Sequence, residues 1–285
     1  MAIKGQCGLC ATHSELKQSH ILPKFAVRWL KKTSATGFLR DAITPNVRKQ
    51  DVRKVPLLCA GCEERFSVWE KEFAENFFTP AHDADFHRIG YGPWMLKFCV
   101  SVSWRTLKVN AEQLLGDSPQ FTKRVTDALQ CWSDFLLNKS GNITPYEQHV
   151  FVLGFPERME GKFPDGFLYY LLRSIDATPA FSRTKLSIYS KVLRIMILAP
   201  LSPLHPSGLR NTRVFAGGGA MISPQQLGGE FGTFLLARAK EVLQISSPSE
   251  AQRRKIQDEM LRNPERVLKS ESFQVKAAEH ELIET

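Results

Sequence analysis

The chain has 285 residues, 43% of them hydrophobic and 24% charged, and carries a net charge of +9. That balance is ordinary for a soluble globular protein, and the length makes two domains the default expectation. No run of about 18 apolar residues is present, so no membrane helix is expected, and MAIKGQCGLC lacks the apolar core of a secretory signal, which points to the cytoplasm.

In chain order, residues 1–90 read as a small zinc-binding unit. It opens with the knuckle CGLC, and SHILPKFAVRWLKKTS follows, where Phe25, Trp29 and Leu30 recur at helical spacing after Pro23. The second knuckle, LLCAGC, runs into EERFSVWEKEFAENFF. There Phe66, Trp69, Phe73 and Phe77 form an apolar stripe, so a helix is expected from about Cys62 until Pro80 ends it. Residues 81–92 read as a loop, and its string His82, Asp83, Asp85, His87 is a minor metal-binding candidate beside the plainer reading of a solvated loop.

Residues 91–143 predict two helices, with Cys99 and Cys131 as buried small hydrophobes. Residues 144–245 predict an α+β recognition domain. HVFVLGF, FLYYLLRSI and SKVLRIMILAPL have strand composition, and GEFGTFLLARAKEVLQ is helical. The glycine run in RVFAGGGAMI lacks the Lys-Ser/Thr of a phosphate-binding loop and reads as a turn or bulge. After SSPSE, residues 246–285 form a polar helical tail. The expected fold class is therefore α+β: an N-terminal ββα unit, then helices, then a mixed domain.

Two C-x-x-C pairs in a reducing compartment indicate a metal site rather than disulfides. Each pair presents two sulfurs on a tight turn, so Cys7, Cys10, Cys59 and Cys62 would close a tetrahedral shell around one structural Zn²⁺, with no position left for water. The 48 residues between Cys10 and Cys59 would be a folded insertion pinned by the metal. That insertion is strongly basic. From Met1 to Pro56 there are eleven lysines and arginines against three acids, a net +8, which suggests a polyanionic partner.

Between the knuckles stands Ser19-His20-Ile21-Leu22-Pro23. In order, Cys7, Cys10, His20, Ile21, Pro23, Leu58, Cys59 and Cys62 resemble the frame of the zinc-containing HNH (His-Me finger) endonucleases, over residues 1 to about 80. The resemblance implies a ββα unit, metal-assisted phosphodiester hydrolysis with His20 as general base, and a single catalytic Mg²⁺ or Mn²⁺. Imidazole is the side chain whose ordinary titration range suits that role. The pattern departs from the family in three places. Ser19 stands where an acid or histidine usually ligates the metal, Arg53-Lys54-Val55 where the middle Asn usually falls (Asn46 lies thirteen residues before Cys59), and Glu63 at the helix position of an Asn or His. Glu63 is the candidate replacement ligand, with Glu64 and Glu70 as weaker substitutes.

The resemblance makes nucleic acid the expected partner, DNA ahead of RNA. A protein partner or an activating ligand is expected on the C-terminal domain, where Arg173, Arg183, Arg194 and Arg213, with Arg105 before them, are candidate phosphate contacts. A nuclease finger joined to a recognition domain is a design of bacterial defence, including phage defence, and of toxin effectors; this is analogy. The alternative is a non-catalytic zinc-finger module that binds nucleic acid or a protein through its basic face.

Overall fold

In the computed structural model, which describes residues 3–40, 43–49, 51–83, 87–156, 163–244 and 248–284, the CGLC knuckle is the turn of a hairpin. Strand β1 (Ile3–Gln6) pairs antiparallel with β2 (His13–His20), in register from Ile3↔Leu16 to Gln6↔His13. Helix α1 (Lys24–Lys32) follows Pro23, whose fixed φ suits a helix start. Strand β3 (Lys54–Cys59) returns along β2, with a bulge between Lys17 and Gln18, and passes directly into α2 (Ala60–Phe73). The N-terminus is thus ββα-like.

Pro80 does not end this helix. A π-helical turn, Ala74–Phe78, joins α2 to α3 (Thr79–Asp83), and Pro80 lies within α3. The wider π turn gives the proline ring room against the preceding carbonyls, which a regular α-helix would not. Residues 81–92 are likewise more than a loop. Strand β4 (Arg88–Tyr91) pairs antiparallel with a distant strand, described below, while Asp85 lies outside the described residues.

Helix α4 (Trp94–Asp117) is the axis of the molecule, and from Met95 to Leu107 only Lys97 is not fully buried. A 3₁₀ turn (Pro119–Phe121) leads to α5 (Thr122–Leu136) beside it. Cys99 is buried as expected, whereas Cys131 is only half-buried, because α5 is a surface helix with one apolar face. Beyond it come β5 (His149–Val152), α6 (Phe167–Arg173), β6 (Ile175–Phe181), β7 (Leu186–Val192) and β8 (Ile195–Ser202). Three short strands follow, β9 (Leu209–Arg210), β10 (Gly219–Ile222) and β11 (Gln226–Leu227), and β10 is the partner of β4. The glycine run leads into β10, and Gly218 adopts a φ of 92°.

FLYYLLRSI was expected to be a strand and is mostly helix α6. Its apolar residues serve two sides at once: Phe167 and Tyr170 pack toward one later helix, Leu168 and Leu172 toward another. Packing of that kind overrides the β-preference of its aromatics. SKVLRIMILAPL is two strands rather than one. Val192 and Ile195 pair across a two-residue turn whose Leu193 has a φ of 57°, and Leu193 is fully buried.

The main sheet is antiparallel, in the order β5-β8-β7-β6. Its side chains alternate between two covers. Ile188, Ile195, Ile197 and Ala199 join the large core that includes α4, while Tyr189, Met196 and Leu198 face helix α7 (Gly229–Gln244). The large core is continuous from Cys7 to Met221.

Three helices complete the chain, α8 (Glu250–Arg262), α9 (Pro264–Lys269) and α10 (Glu271–Glu284). Ser249 caps α8 by accepting from the Gln252 N–H, and Asn263 caps α9 by accepting from that of Arg266. They lie against the insertion between the knuckles. Glu271 accepts from Trp29 Nε1 at 3.0 Å and pairs with Arg173, Arg266 donates to the Ser34 carbonyl at 3.2 Å, Ser272 Oγ accepts from the Ala35 N–H at 2.9 Å, and Glu259 meets Arg48 at 2.6 Å. No helix among the described residues is long and apolar enough to cross a membrane.

One side chain docks the N-terminal unit on α4. Arg105, 2% exposed, reaches Glu70 of α2 at 2.8 Å, the His20 carbonyl at 2.9 Å and the Ser101 carbonyl at 3.2 Å, with Phe66 beneath its guanidinium. Removing one partner of such a buried pair strands the other charge. Glu70→Ala is therefore expected to cost about 3 kcal/mol in urea unfolding, and the double variant Glu70→Met/Arg105→Met to recover much of that loss.

Candidate metal centre and histidine site

The turn Cys7–Cys10 and the β3–α2 junction bring the four cysteines together, and their sulfurs all lie within 4.8 Å of one another. Cys10 Sγ and Cys59 Sγ are 3.7 Å apart, the separation of two thiolates on one tetrahedral zinc at roughly 2.3 Å each. The backbone is arranged around the sulfurs. The Cys59 N–H points at Cys7 Sγ (3.3 Å), the Cys7 N–H at the Thr12 carbonyl (2.9 Å), and Ala11 turns the chain at a φ of 60°. Gly8 lets the knuckle touch β3. Its N–H bonds the Leu57 carbonyl at 2.8 Å, and a Cβ there would stand 2.8 Å from Leu57 Cδ1.

Burial pushes the Cys7 and Cys62 thiols up, and for Cys62 the neighbouring sulfurs add to it. Cys10 goes the other way. Although burial opposes it, hydrogen bonds with Thr12 hold it at about 6. Four crowded sulfurs that resist ionising together are the donor set a divalent cation neutralises, so the residues present fit zinc. Among the described residues this is the only group of three or more His, Cys, Asp or Glu side chains with donor atoms in metal reach.

His20, the last residue of β2, stands opposite Lys54 of β3. Its Nε2 lies 2.9 Å from both oxygens of Asp51, and Lys54 Nζ meets the same carboxylate at 2.5 Å. The side chains of His20 and Asp51 are 20% and 22% exposed, so the pair is mostly buried with one edge open to solvent. Burial pushes the Asp51 carboxyl up, but hydrogen bonds from Lys54, His20 and the Val52 N–H outweigh it and hold Asp51 at about 2. No spacing rule singles out Asp51, which lies in the segment before β3; the one available signal was an acid in a run of bases. Asn46, by contrast, accepts from the Ser249 N–H at 2.8 Å and so holds the start of α8.

Ser19 is fully buried. Its Oγ accepts from the Leu58 N–H at 3.2 Å and secures β2 to β3, with its side chain on the strand face opposite that of His20. Glu63 lies in the first turn of α2, and its Oε1 is buried with no hydrogen-bond partner. His82 is packed against Trp29 and Phe78, its Nδ1 bonds the Phe78 carbonyl at 2.8 Å, and burial lowers its pKa to about 3. It forms no metal group with Asp83 or His87.

Lys24, Arg28 and Arg53 are exposed and take no side-chain partner among the described residues. Of the arginines further along, Arg105 and Arg173 are buried in ion pairs, so neither can reach a phosphate, and Arg213 is held by Glu147 at 2.7 Å. Compared with protein-family models, with curated proteins and with solved structures, the chain matches none.

Elemental analysis of the purified protein is expected to find one zinc per chain, and Cys59→Ser to lose it and melt the β1-β2-β3 sheet and α2 in hydrogen exchange, since binding energy here is folding energy. A carboxyl held below its ordinary 3.8 stabilises the fold above that pH and loses the contribution as pH falls through about 2. The stability difference between wild type and Asp51→Asn, on the order of 1–2 kcal/mol near pH 6, is expected to shrink steadily below about pH 4.

Proposed function

We propose that the N-terminal unit carries a structural zinc on Cys7, Cys10, Cys59 and Cys62 and acts as an HNH-like endonuclease on nucleic acid, DNA before RNA. The observation that supports it most is the grip of Asp51 on His20. With both carboxylate oxygens on Nε2–H, the ring is fixed and Nδ1, which has no partner among the described residues, is the acceptor. A base oriented by a third group is the usual arrangement for taking a proton from an attacking water. Lys24 and Arg28, one helical turn apart on α1, begin four residues after His20 and offer cations to the phosphates beside it.

The family's chemistry also uses Mg²⁺ or Mn²⁺, which stabilises charge on the phosphate when bound. Glu63 is the residue that would hold it, because its unpartnered, buried Oε1 is an atom a cation would satisfy. Such ions commonly take one or two carboxylates and complete their shell with water and substrate.

One observation favours the second reading, a zinc-built binding module without catalysis. Among the described residues no third His, Cys, Asp or Glu donor joins His20 and Asp51, and Ser19 is turned inward. Plasmid cleavage with Mg²⁺, Mn²⁺ or EDTA separates the two. A nuclease is expected to cut with metal only, and His20→Ala to slow it at least about 100-fold at unchanged zinc content. If no metal supports cutting while DNA binding persists and weakens steeply with salt, the binding module is correct.

A further inference from the structure

Away from the zinc, a cleft of about 640 Å³ opens between α2, the start of α4 and the end of α5. Trp69, Trp94 and Phe135 line it with aromatic surface. The two indoles make ring contacts with their own neighbours, Trp69 with Phe66 at 5.6 Å and Trp94 with Phe73 at 6.5 Å, and none with each other. Between the aromatic walls lies a lysine. Lys97 Nζ is 3.6 Å from the Phe135 ring centroid and 5.8 Å from that of Trp69.

Lys97 donates to the Phe135 carbonyl and to Asn138 Oδ1 (2.9 Å), so its ammonium has one N–H left. Burial, with Arg65 nearby, lowers its pKa to about 8. A cation placed at such a cost is one that a bound anion would relieve. Lys139, 67% exposed and within 4.0 Å of the Asp134 carboxylate, stands at the rim, and Glu72, which accepts from Asn76 at 2.8 Å, lines the same cleft.

Aromatic faces accept any planar π system, and a lysine among them asks for an anion. Donor and acceptor groups beside both suit a heteroaromatic edge or a sugar hydroxyl. The volume falls within the range of small-molecule sites. We propose that this cleft binds a nucleotide, its base against Trp69 and Trp94 and its phosphate on Lys97 and Lys139. That nucleotide is either a free mononucleotide or an unpaired residue of a strand, and the chemistry recognised is the same. The site does not depend on His20 or on any cleavage activity.

The test uses the full-length, zinc-loaded chain bearing His20→Ala, so that hydrolysis cannot confuse binding. Tryptophan fluorescence and calorimetry would follow titration with the four ribonucleoside and four deoxyribonucleoside monophosphates, adenosine, inorganic phosphate and an eight-residue oligothymidylate. At least one phosphate-bearing nucleotide or the oligonucleotide is expected to quench and saturate, with adenosine and phosphate each at least about tenfold weaker. Saturation by a monophosphate identifies a free nucleotide as sufficient, and response to the oligonucleotide alone identifies a strand. Lys97→Met is expected to abolish binding. Val68→Trp, at a 55% exposed position on the cleft wall, is expected to do so by filling it, with unchanged circular dichroism. The proposal is overturned if no nucleotide or oligonucleotide binds below about 1 mM, or if Val68→Trp binds as the parent does.

Discussion

A guanidinium sealed among carbonyls and one carboxylate sets the geometry around His20. Arg105 comes from the central helix, Glu70 from α2 and the acceptor carbonyl of His20 from the end of β2, so three segments must be in place before the charge is satisfied. A sliding of α2 would leave that charge buried and alone, and a fraying of β2 would take away one of its carbonyl acceptors, which is costly enough to favour one docking position. The four cysteines act on a different scale. They set how the hairpin meets α2, and Arg105 sets how that whole assembly meets the rest of the molecule. His20 sits where the two constraints overlap, its backbone held from below by α4 and its ring from the side by Asp51.

What could be read in the chain beforehand was what depends on short spacings. Two C-x-x-C turns, Pro23 before α1 and the Phe66–Phe77 stripe are local patterns, and the cluster, both helices and the ββα order correspond to them. What was missed depends on partners far away in sequence. Leu168 and Leu172 look like strand residues until α10 lies beside them, β4 exists only because β10 pairs with it, and Pro80 is tolerated because a π turn precedes it. Asp51 belongs to the same group. Nothing in its neighbours announces it, and it gains a role only when β3 brings it back beside the end of β2. The arginines show the reverse error: Arg105 and Arg173 look like free cations in the sequence and are buried in ion pairs in the structure.

The clasp of the last helices on the insertion has a consequence in time. Trp29 waits for Glu271 across 242 positions and Ala35 for Ser272 across 237, whereas both zinc knuckles have emerged by residue 62. At the ordinary pace of synthesis, about 5–20 residues per second, the clasp arrives roughly 10–40 s after the metal site can close. During that interval the nascent chain presents the four-cysteine finger with its basic insertion uncovered. Completion of the N-terminal unit is therefore a late event in the life of the chain, set by the ribosome rather than by the metal.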